Sequence, residues 1–158
     1  MDVVNAGVGG TTVASAYASF AYLLSQTWAS HRVTNVLMNW GVNDLTVTPP
    51  GTLPDQTTWT NQYISMVEQV KAKWPMAQVW IARPYKNGGF DTALDTLATW
   101  ITDVVAAHPS YVHLGFDERV WFKPNIAPYS LLYSDDGTHY NAAGQAECAV
   151  QWSTTMGY

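Results

Sequence analysis

Residues 33–44 read VTNVLMNWGVND, an apolar run that ends in a turn. Its β-branched and apolar side chains predict a buried strand over 33–40, and the Pro- and Gly-containing residues 41–54 predict a loop. Behind that loop Asp55 is a predicted N-cap, and apolar residues then recur at helical spacing as far as Pro75. A buried strand followed by an amphipathic helix is one β/α unit.

The same unit recurs on both sides of this stretch. Further strands and helices are predicted to alternate at 3–5 (strand), 11–29 (helix), 78–82 (strand), 91–107 (helix) and 111–116 (strand). Four strand–helix units predict an α/β fold with a parallel sheet, helices on both faces and right-handed crossovers. We expect residues 117–139 to be irregular and a C-terminal helix to begin at Asn141, which could cap it.

The composition limits the class of protein. The chain has 158 residues, of which 47% are hydrophobic and 12% charged, so it is predicted to be a single folded domain over 1–158. A net charge of −5 without a Lys/Arg cluster argues against nucleic acid as a partner. No apolar stretch is long enough to predict a membrane span. The single cysteine, Cys148, leaves the cellular compartment undetermined.

Asp136-Gly137-Thr138-His139 places a carboxylate three residues before an imidazole. Such a carboxylate can accept a hydrogen bond from one ring nitrogen. That bond fixes the tautomer and leaves the other nitrogen to act as a general base. Taken alone, the same residues also fit a turn aspartate followed by a surface histidine.

Gly7-Val8-Gly9-Gly10 follows the first predicted strand. Glycines allow a sharp turn and present backbone N–H groups at a helix start, where an anion or oxyanion is stabilised. A dinucleotide-binding site fits poorly, because its third glycine position is Thr12 and no acidic residue ends the second strand. A purely structural tight turn is the remaining alternative.

Gly41-Val42-Asn43-Asp44 follows the second predicted strand. In parallel sheets the ligand site lies beyond the carboxyl ends of the strands, so this turn and the glycine-rich loop should share one edge. Asn43 offers a side-chain amide there, and one such donor to a tetrahedral oxyanion is worth about 10²–10³ in rate. As an isolated tetrapeptide it would also fit a plain turn.

Together, the three motifs resemble three of the four blocks that define the SGNH (GDSL-type) ester hydrolases. The resemblance implies that the backbone of Gly10 and the side chain of Asn43 are the oxyanion-hole donors. It likewise implies that Asp136 and His139 are the catalytic acid and base. The implied fold is a three-layer α/β/α, flavodoxin-like domain. The implied activity is hydrolysis of small carboxylic esters, acetyl or other short acyl, with no cofactor and no metal.

The block that carries the family's nucleophilic serine is not found, since no Gly-Asp-Ser occurs in the sequence. We therefore expect the family's first strand–helix unit, roughly 25–35 residues, to be missing, either because the reading frame is truncated or because the chain is a variant with another nucleophile or none. Ser15 and Ser134 are the local hydroxyls that could substitute, and neither is favoured. No nucleophile is identified.

Two functions are compatible with these motifs. One is an esterase, impaired by the absence of the serine block, that acts on a small ester or an acylated carbohydrate. The alternative is an inactive pseudoenzyme or binding remnant of the same fold. A missing strand would leave an unpaired sheet edge, and the helix over 11–29 carries exposed-type aromatic residues without charge, so a homo-oligomer is expected. Four aromatic residues next to the motif loops could line a pocket: Trp40, Trp121, Phe122 and Tyr140.

Overall fold

A computed structural model of the protein describes residues 10–26, 33–46, 52–86, 89–126 and 139–158. The predicted strand at 3–5 lies outside the described residues. Gly7, Gly9, Ser134 and Asp136 lie outside them as well.

Three strands and five α-helices follow one another in the described chain. They are α1 (Val13–Gln26), β1 (Asn35–Met38), a 3₁₀ helix (Val42–Thr46), α2 (Gln56–Lys73), β2 (Gln78–Arg83), α3 (Asp91–Ala107), β3 (Val112–Asp117), α4 (Glu118–Ile126) and α5 (Ala142–Thr155). Both predicted caps are confirmed. The Asp55 carboxylate accepts the Thr58 N–H at 2.8 Å, and the Asn141 side chain accepts the Gly144 N–H at 3.0 Å.

The described strands form one parallel sheet in the order β1-β2-β3. Val36 pairs with Val79, and Val79 pairs in turn with Val112. The predicted α/β fold with a parallel sheet is therefore confirmed.

One face of the sheet supplies the core. Met38, Val79, Ile81 and Val112 are all at most 1% exposed on this face, as alternate residues of the three strands. Helices α2 and α3 cover them with an apolar stripe each, as the helical spacing of the sequence predicts. The fully buried members of these stripes include Tyr63, Met66, Val67, Leu97, Ile101 and Val104.

Helix α5 packs on β3 from the opposite face. It does so at Gly115, where the indole ring of Trp152 occupies the space that a β-carbon would need. On the same face Leu37 of β1 remains 45% exposed. The Trp80 and His113 rings lie 4.5 Å apart beside it.

Helix α4 corrects the prediction that residues 117–139 are irregular. The chain turns directly from β3 into α4 at Glu118 and stays helical to Ile126. An acidic first residue suits the positive end of the helix dipole. Phe122 is fully buried, with its ring centroid 5.6 Å from that of Phe116, so tertiary packing stabilises this short helix.

Within the described ranges, none of the helices combines the length and the apolar character that crossing a bilayer requires.

Candidate functional site

The turn before α1 is held by side chains at the helix start. Gly10 has a φ of +77°, a conformation that glycine adopts without strain. Thr12 and Ser15 then cap α1 reciprocally: the Ser15 N–H donates to Thr12 Oγ1 at 3.1 Å, and the Thr12 N–H donates to Ser15 Oγ at 2.9 Å. This pairing has the geometry of a capping box and fixes where the helix begins.

The loop after β1 is hydrogen-bonded to that turn. Asn43 Nδ2 donates to the Thr11 carbonyl oxygen at 3.2 Å, and Trp40 Nε1 donates to Thr11 Oγ1 at 3.1 Å. The structure therefore brings Asn43 to the segment that follows Gly10, as the edge rule for parallel sheets predicts.

Asp44 gives this junction a buried carboxylate. It is 3% exposed and accepts the Val13 N–H, at 3.1 Å to Oδ2 and 3.3 Å to Oδ1. Burial raises the pKa of Asp44, and the hydrogen bond from Val13 opposes that rise. The carboxylate lies at the N-terminus of α1, where the helix dipole favours negative charge.

His139 is exposed and lies at the start of the last described segment. Its neighbour Tyr140 is half-buried and packs on α4, with the Tyr140 and Phe122 ring centroids 4.3 Å apart. Because Asp136 lies outside the described residues, the predicted pairing of Asp136 with His139 stays a prediction.

Glu118, which the sequence reading did not single out, lies at the carboxyl end of β3. It is 4% exposed and accepts the Asn39 Nδ2 amide at 2.8 Å and the Tyr85 N–H at 3.0 Å. Burial raises the pKa of Glu118, and hydrogen bonds from Tyr85, Asn39 and Tyr140 oppose the rise. The available sequence signal was a charged residue directly after an apolar strand, where motif loops are expected.

The preceding residue, Asp117, faces two guanidinium groups. Its Oδ2 lies 3.2 Å from Arg83 Nη1 and 3.1 Å from Arg119 Nη2. Burial alone would raise the pKa of Asp117, but the hydrogen bonds and charges of Arg119 and Arg83 hold it below its usual value. Arg119 also pairs with Asp95 of α3 at 2.7 Å, which ties the end of β3 to that helix.

Neither the Ser15 hydroxyl nor the Cys148 thiol is well suited to act as a nucleophile. The Ser15 hydroxyl takes part in the cap of α1 and donates to the Thr12 carbonyl at 3.0 Å. Burial, with the charges of Glu118 and Glu147, raises the pKa of the Cys148 thiol to about 12, so the thiolate that would attack a carbonyl is scarce at neutral pH. Ser134 lies outside the described residues. Across the described chain, no group of three or more His, Cys, Asp and Glu side chains is placed to hold a metal ion.

The prediction that Phe122 lines a pocket is wrong, because Phe122 is fully buried between Phe116 and Tyr140. Trp40 is half-buried beside Thr11, with its ring edge-on to that of Phe20 at 6.0 Å. A shallow groove of about 340 Å³ lies elsewhere, between α1 and α2. It borders Leu24 and Lys73, near the C-termini of those helices and away from the motif loops.

Comparisons with known proteins identify the family and the fold of the chain. The GDSL-like lipase/acylhydrolase family model matches residues 1–147. No curated protein sequence matches the chain significantly.

Several solved structures share the fold. The acetyl xylan esterase AlAXEase superposes with a TM-score of 0.70 at 17% identity, over 94% of this chain and 78% of that one. The psychrotrophic esterase EstA from Pseudoalteromonas sp. superposes with a TM-score of 0.70 at 19% identity, over 97% of this chain and 75% of that one. The acetylxylan esterase Axe2 from Geobacillus stearothermophilus superposes with a TM-score of 0.71 at 16% identity, over 99% of this chain and 72% of that one. Since the family model covers nearly the whole sequence and the fold agrees, the chain belongs to the GDSL-like lipase/acylhydrolase family.

Proposed function

We propose that this chain hydrolyses small carboxylic esters, acetyl or other short acyl, with Gly10 and Asn43 as the oxyanion-hole donors and His139 as the base. The observation that carries the proposal is the hydrogen bond from Asn43 to the Thr11 carbonyl. This bond holds the Asn43 amide at the residue that follows Gly10, and Gly10 and Asn43 are the two donors that the family resemblance implies. Asp136 would orient His139.

No serine nucleophile is identified, so we propose that water attacks the ester. His139 removes a proton from the water, and the resulting hydroxide bonds to the acyl carbon. Negative charge then develops on the former carbonyl oxygen, where the Gly10 N–H and the Asn43 amide stabilise it. As the carbon–oxygen bond to the alcohol breaks, the imidazolium returns its proton to the leaving alkoxide, which leaves a carboxylic acid and an alcohol.

An acetylated carbohydrate is the substrate that we favour. Two of the structural neighbours are described as acetylxylan esterases. Next to the motif loops this chain has Trp40, whose indole is partly exposed beside Thr11. A flat aromatic surface of this kind can pack against a sugar ring.

Hydrolysis of p-nitrophenyl acetate tests the proposal. An active site that retains its oxyanion hole without a nucleophile can still give about 10³–10⁴ over the uncatalysed rate. We expect the wild-type rate enhancement to lie in that range. The rate should fall about tenfold or more in both His139→Ala and Asn43→Ala. Asn61→Ala and His108→Ala are the matched controls, because these side chains lie on α2 and at the end of α3. A rate unaffected by His139→Ala would remove the proposed base.

A fluorophosphonate probe separates this proposal from a serine mechanism. Rapid turnover with stoichiometric labelling of a serine would show that a nucleophile exists and that water attack is wrong. The second candidate function is a binding remnant of the same fold, which fits the engagement of the Ser15 hydroxyl in the cap of α1 and the raised pKa of Cys148. It predicts no turnover above the buffer rate, together with saturable binding of an acetylated oligosaccharide.

We also infer that the chain forms a homo-oligomer. Helix α1 contains no charged residue, and its Tyr17 and Tyr22 side chains are 41% and 69% exposed. Leu37 is 45% exposed on β1, which is an edge strand of the described sheet. Burial of these apolar surfaces between two copies would remove them from water.

A further inference from the structure

One buried carboxyl joins the ends of all three described strands. Asn39 directly follows β1, Tyr85 follows the end of β2, and Glu118 directly follows β3. The Glu118 carboxyl accepts one hydrogen bond from each of the other two, at 2.8 Å from Asn39 Nδ2 to Oε1 and at 3.0 Å from the Tyr85 N–H to Oε2. Each carboxyl oxygen of Glu118 thus accepts a hydrogen bond from the end of a different strand.

The same carboxyl reaches the segment that carries His139. The Tyr140 hydroxyl interacts with the Glu118 carboxyl and helps to lower the pKa of that carboxyl against the effect of burial. Burial and the negative charge of Glu118 raise the pKa of Tyr140 well above its ordinary value, so the phenol keeps the proton that it donates. The Tyr140 ring is further held by Phe122 of α4, at a centroid distance of 4.3 Å.

The backbone around Glu118 is itself anchored. Asp117 pairs with Arg83 at the end of β2, and Arg119 pairs with Asp95 of α3. Residues on both sides of Glu118 are therefore tied to neighbouring elements, and α4 begins at Glu118. These ion pairs limit the movement of the Glu118 backbone. The Glu118 carboxyl therefore sets the position of the residues that bind to it.

We propose that Glu118 is a positioning residue that fixes His139 relative to the loop after β1, by joining Tyr140 to Asn39. The inference rests on the proposed role of His139 as the base and names what holds that base in place. His139 adjoins Tyr140, and Asn39 precedes Asn43 in the same loop. Displacement of a catalytic group by about 1 Å can cost on the order of 10²-fold in rate.

The first experiment needs no activity. The chain is labelled with ¹³C-histidine, and the ring resonance of His139 is assigned by its loss in His139→Ala. We expect this resonance to shift in Glu118→Gln, because a Gln amide group cannot accept from all three donors. It should also shift in Tyr140→Phe, which removes the hydroxyl and keeps the ring on Phe122. Glu147→Gln is the matched control, since Glu147 accepts a hydrogen bond from the Gln151 side chain within α5. A His139 resonance that stays at its wild-type position in both Glu118→Gln and Tyr140→Phe would overturn the proposal.

A second variant pair tests the contact itself. Asn39→Asp combined with Glu118→Gln exchanges acceptor and donor between the two positions, so the hydrogen bond can re-form with reversed polarity. We expect the double variant to return the His139 resonance toward the wild-type position, and each single variant to displace it. Equal displacement in the double and the single variants would contradict a role for the Asn39 contact.

Esterase kinetics then separate positioning from the proposed function. With p-nitrophenyl acetate, kcat should fall about 10-fold to 10²-fold in Glu118→Gln with little change in KM, because the substrate does not touch a buried carboxyl. One outcome is that neither the wild type nor any variant shows esterase activity, while the His139 resonance still shifts in Glu118→Gln and Tyr140→Phe. In that case the proposed function fails and the positioning role stands. An unchanged kcat in an active Glu118→Gln enzyme would overturn the positioning role alone.

Discussion

Asp44 and Glu118 are the two buried carboxylates of the described chain, and each joins parts that are distant in sequence. Asp44 connects the loop after β1 to the start of α1, and Glu118 connects the ends of the three strands. A buried charge is costly unless it is hydrogen-bonded, so each group stabilises the fold only while its donors stay in place.

Stability should depend on pH through Glu118. Its pKa is raised in the folded chain, so the folded state binds this proton more tightly than the unfolded state, whose pKa is near 4.5. The resulting stabilisation is complete below about pH 4.5 and is lost as the pH rises through the folded-state pKa. We expect the wild-type free energy of unfolding to fall, relative to that of Glu118→Gln, as the pH rises above about 4.5.

Urea unfolding of both chains measures this difference. The neighbouring titratable groups, which are Asp117, Tyr140 and Cys148, are present in both chains and largely cancel in the comparison. Parallel pH profiles would show that Glu118 does not titrate differently in the folded and unfolded states.

Gly41 is the residue that turns the chain from β1 into the loop of Asn43. Its φ is +127°, and an added β-carbon would lie 3.5 Å from Pro84 and 3.6 Å from Leu97. Since this backbone conformation is strained for any other residue, Gly41→Ala should destabilise the fold by about 1–3 kcal/mol. Gly157→Ala is the control: Gly157 also has a positive φ, +82°, but it lies in open space one residue from the end of the sequence, where the backbone can relax. Equal losses of unfolding free energy in the two variants would contradict a special role for Gly41.

At the scale of elements, the sequence predicted best where periodicity and caps agree. Helix α3 was predicted at 91–107 and is observed as Asp91–Ala107, and α2 begins behind the predicted cap Asp55. Helix α4 was missed because Pro124 is a poor helix former and nine residues give a weak periodic signal. What stabilises α4 is the burial of Phe122, which depends on Phe116 and Tyr140 and is not a local property of the sequence.

The contact between α5 and β3 should tolerate no added volume. A β-carbon at Gly115 would lie 2.5 Å from Trp152 Cη2 and 3.0 Å from the carbonyl carbon of Ile81. Gly115→Ala must therefore displace the indole ring, at a cost of about 1–3 kcal/mol for overpacking. Chemical unfolding gives the cost, and near-ultraviolet circular dichroism reports the ring.

A double-mutant cycle identifies the cause. Trp152→Phe shortens the ring, so Gly115→Ala should cost less in that background than in the wild type. Equal costs in the two backgrounds would mean that the Trp152 ring does not limit the space at Gly115.

At the scale of the whole molecule, the parallel sheet explains why part of the site could be predicted. Loops at the carboxyl ends of parallel strands are expected to share an edge, and the hydrogen bond from Asn43 to Thr11, the residue after Gly10, agrees with that expectation. The role of Glu118 could not be predicted in this way. Its partners Asn39 and Tyr85 are far from it in sequence, and glutamate side chains are rarely buried. The roles of Gly10, Asn43, Asp136 and His139 stay predictions.

Self-association is the prediction that belongs to this scale. Light scattering during size-exclusion chromatography at low micromolar concentration should give a mass above the 17.4 kDa of one chain. Tyr22→Glu places a charge on the exposed face of α1 and should lower that mass, whereas Met76→Glu, at a site 68% exposed after α2, should not. A 17.4 kDa species that stays unchanged on dilution would rule out the oligomer.

The sequential strand order β1-β2-β3 also has a kinetic consequence. Pairing of β2 with β3 closes the chain between Val79 and Val112, whereas pairing of β1 with β2 closes the longer segment between Val36 and Val79. The entropy lost on closing a loop grows with the logarithm of its length, so this difference favours earlier closure of the β2–β3 ladder by about 0.2 kcal/mol. Strand β1 would then add to an existing β2–β3 template, and we expect the loop of Asn43 to reach its place in that later step.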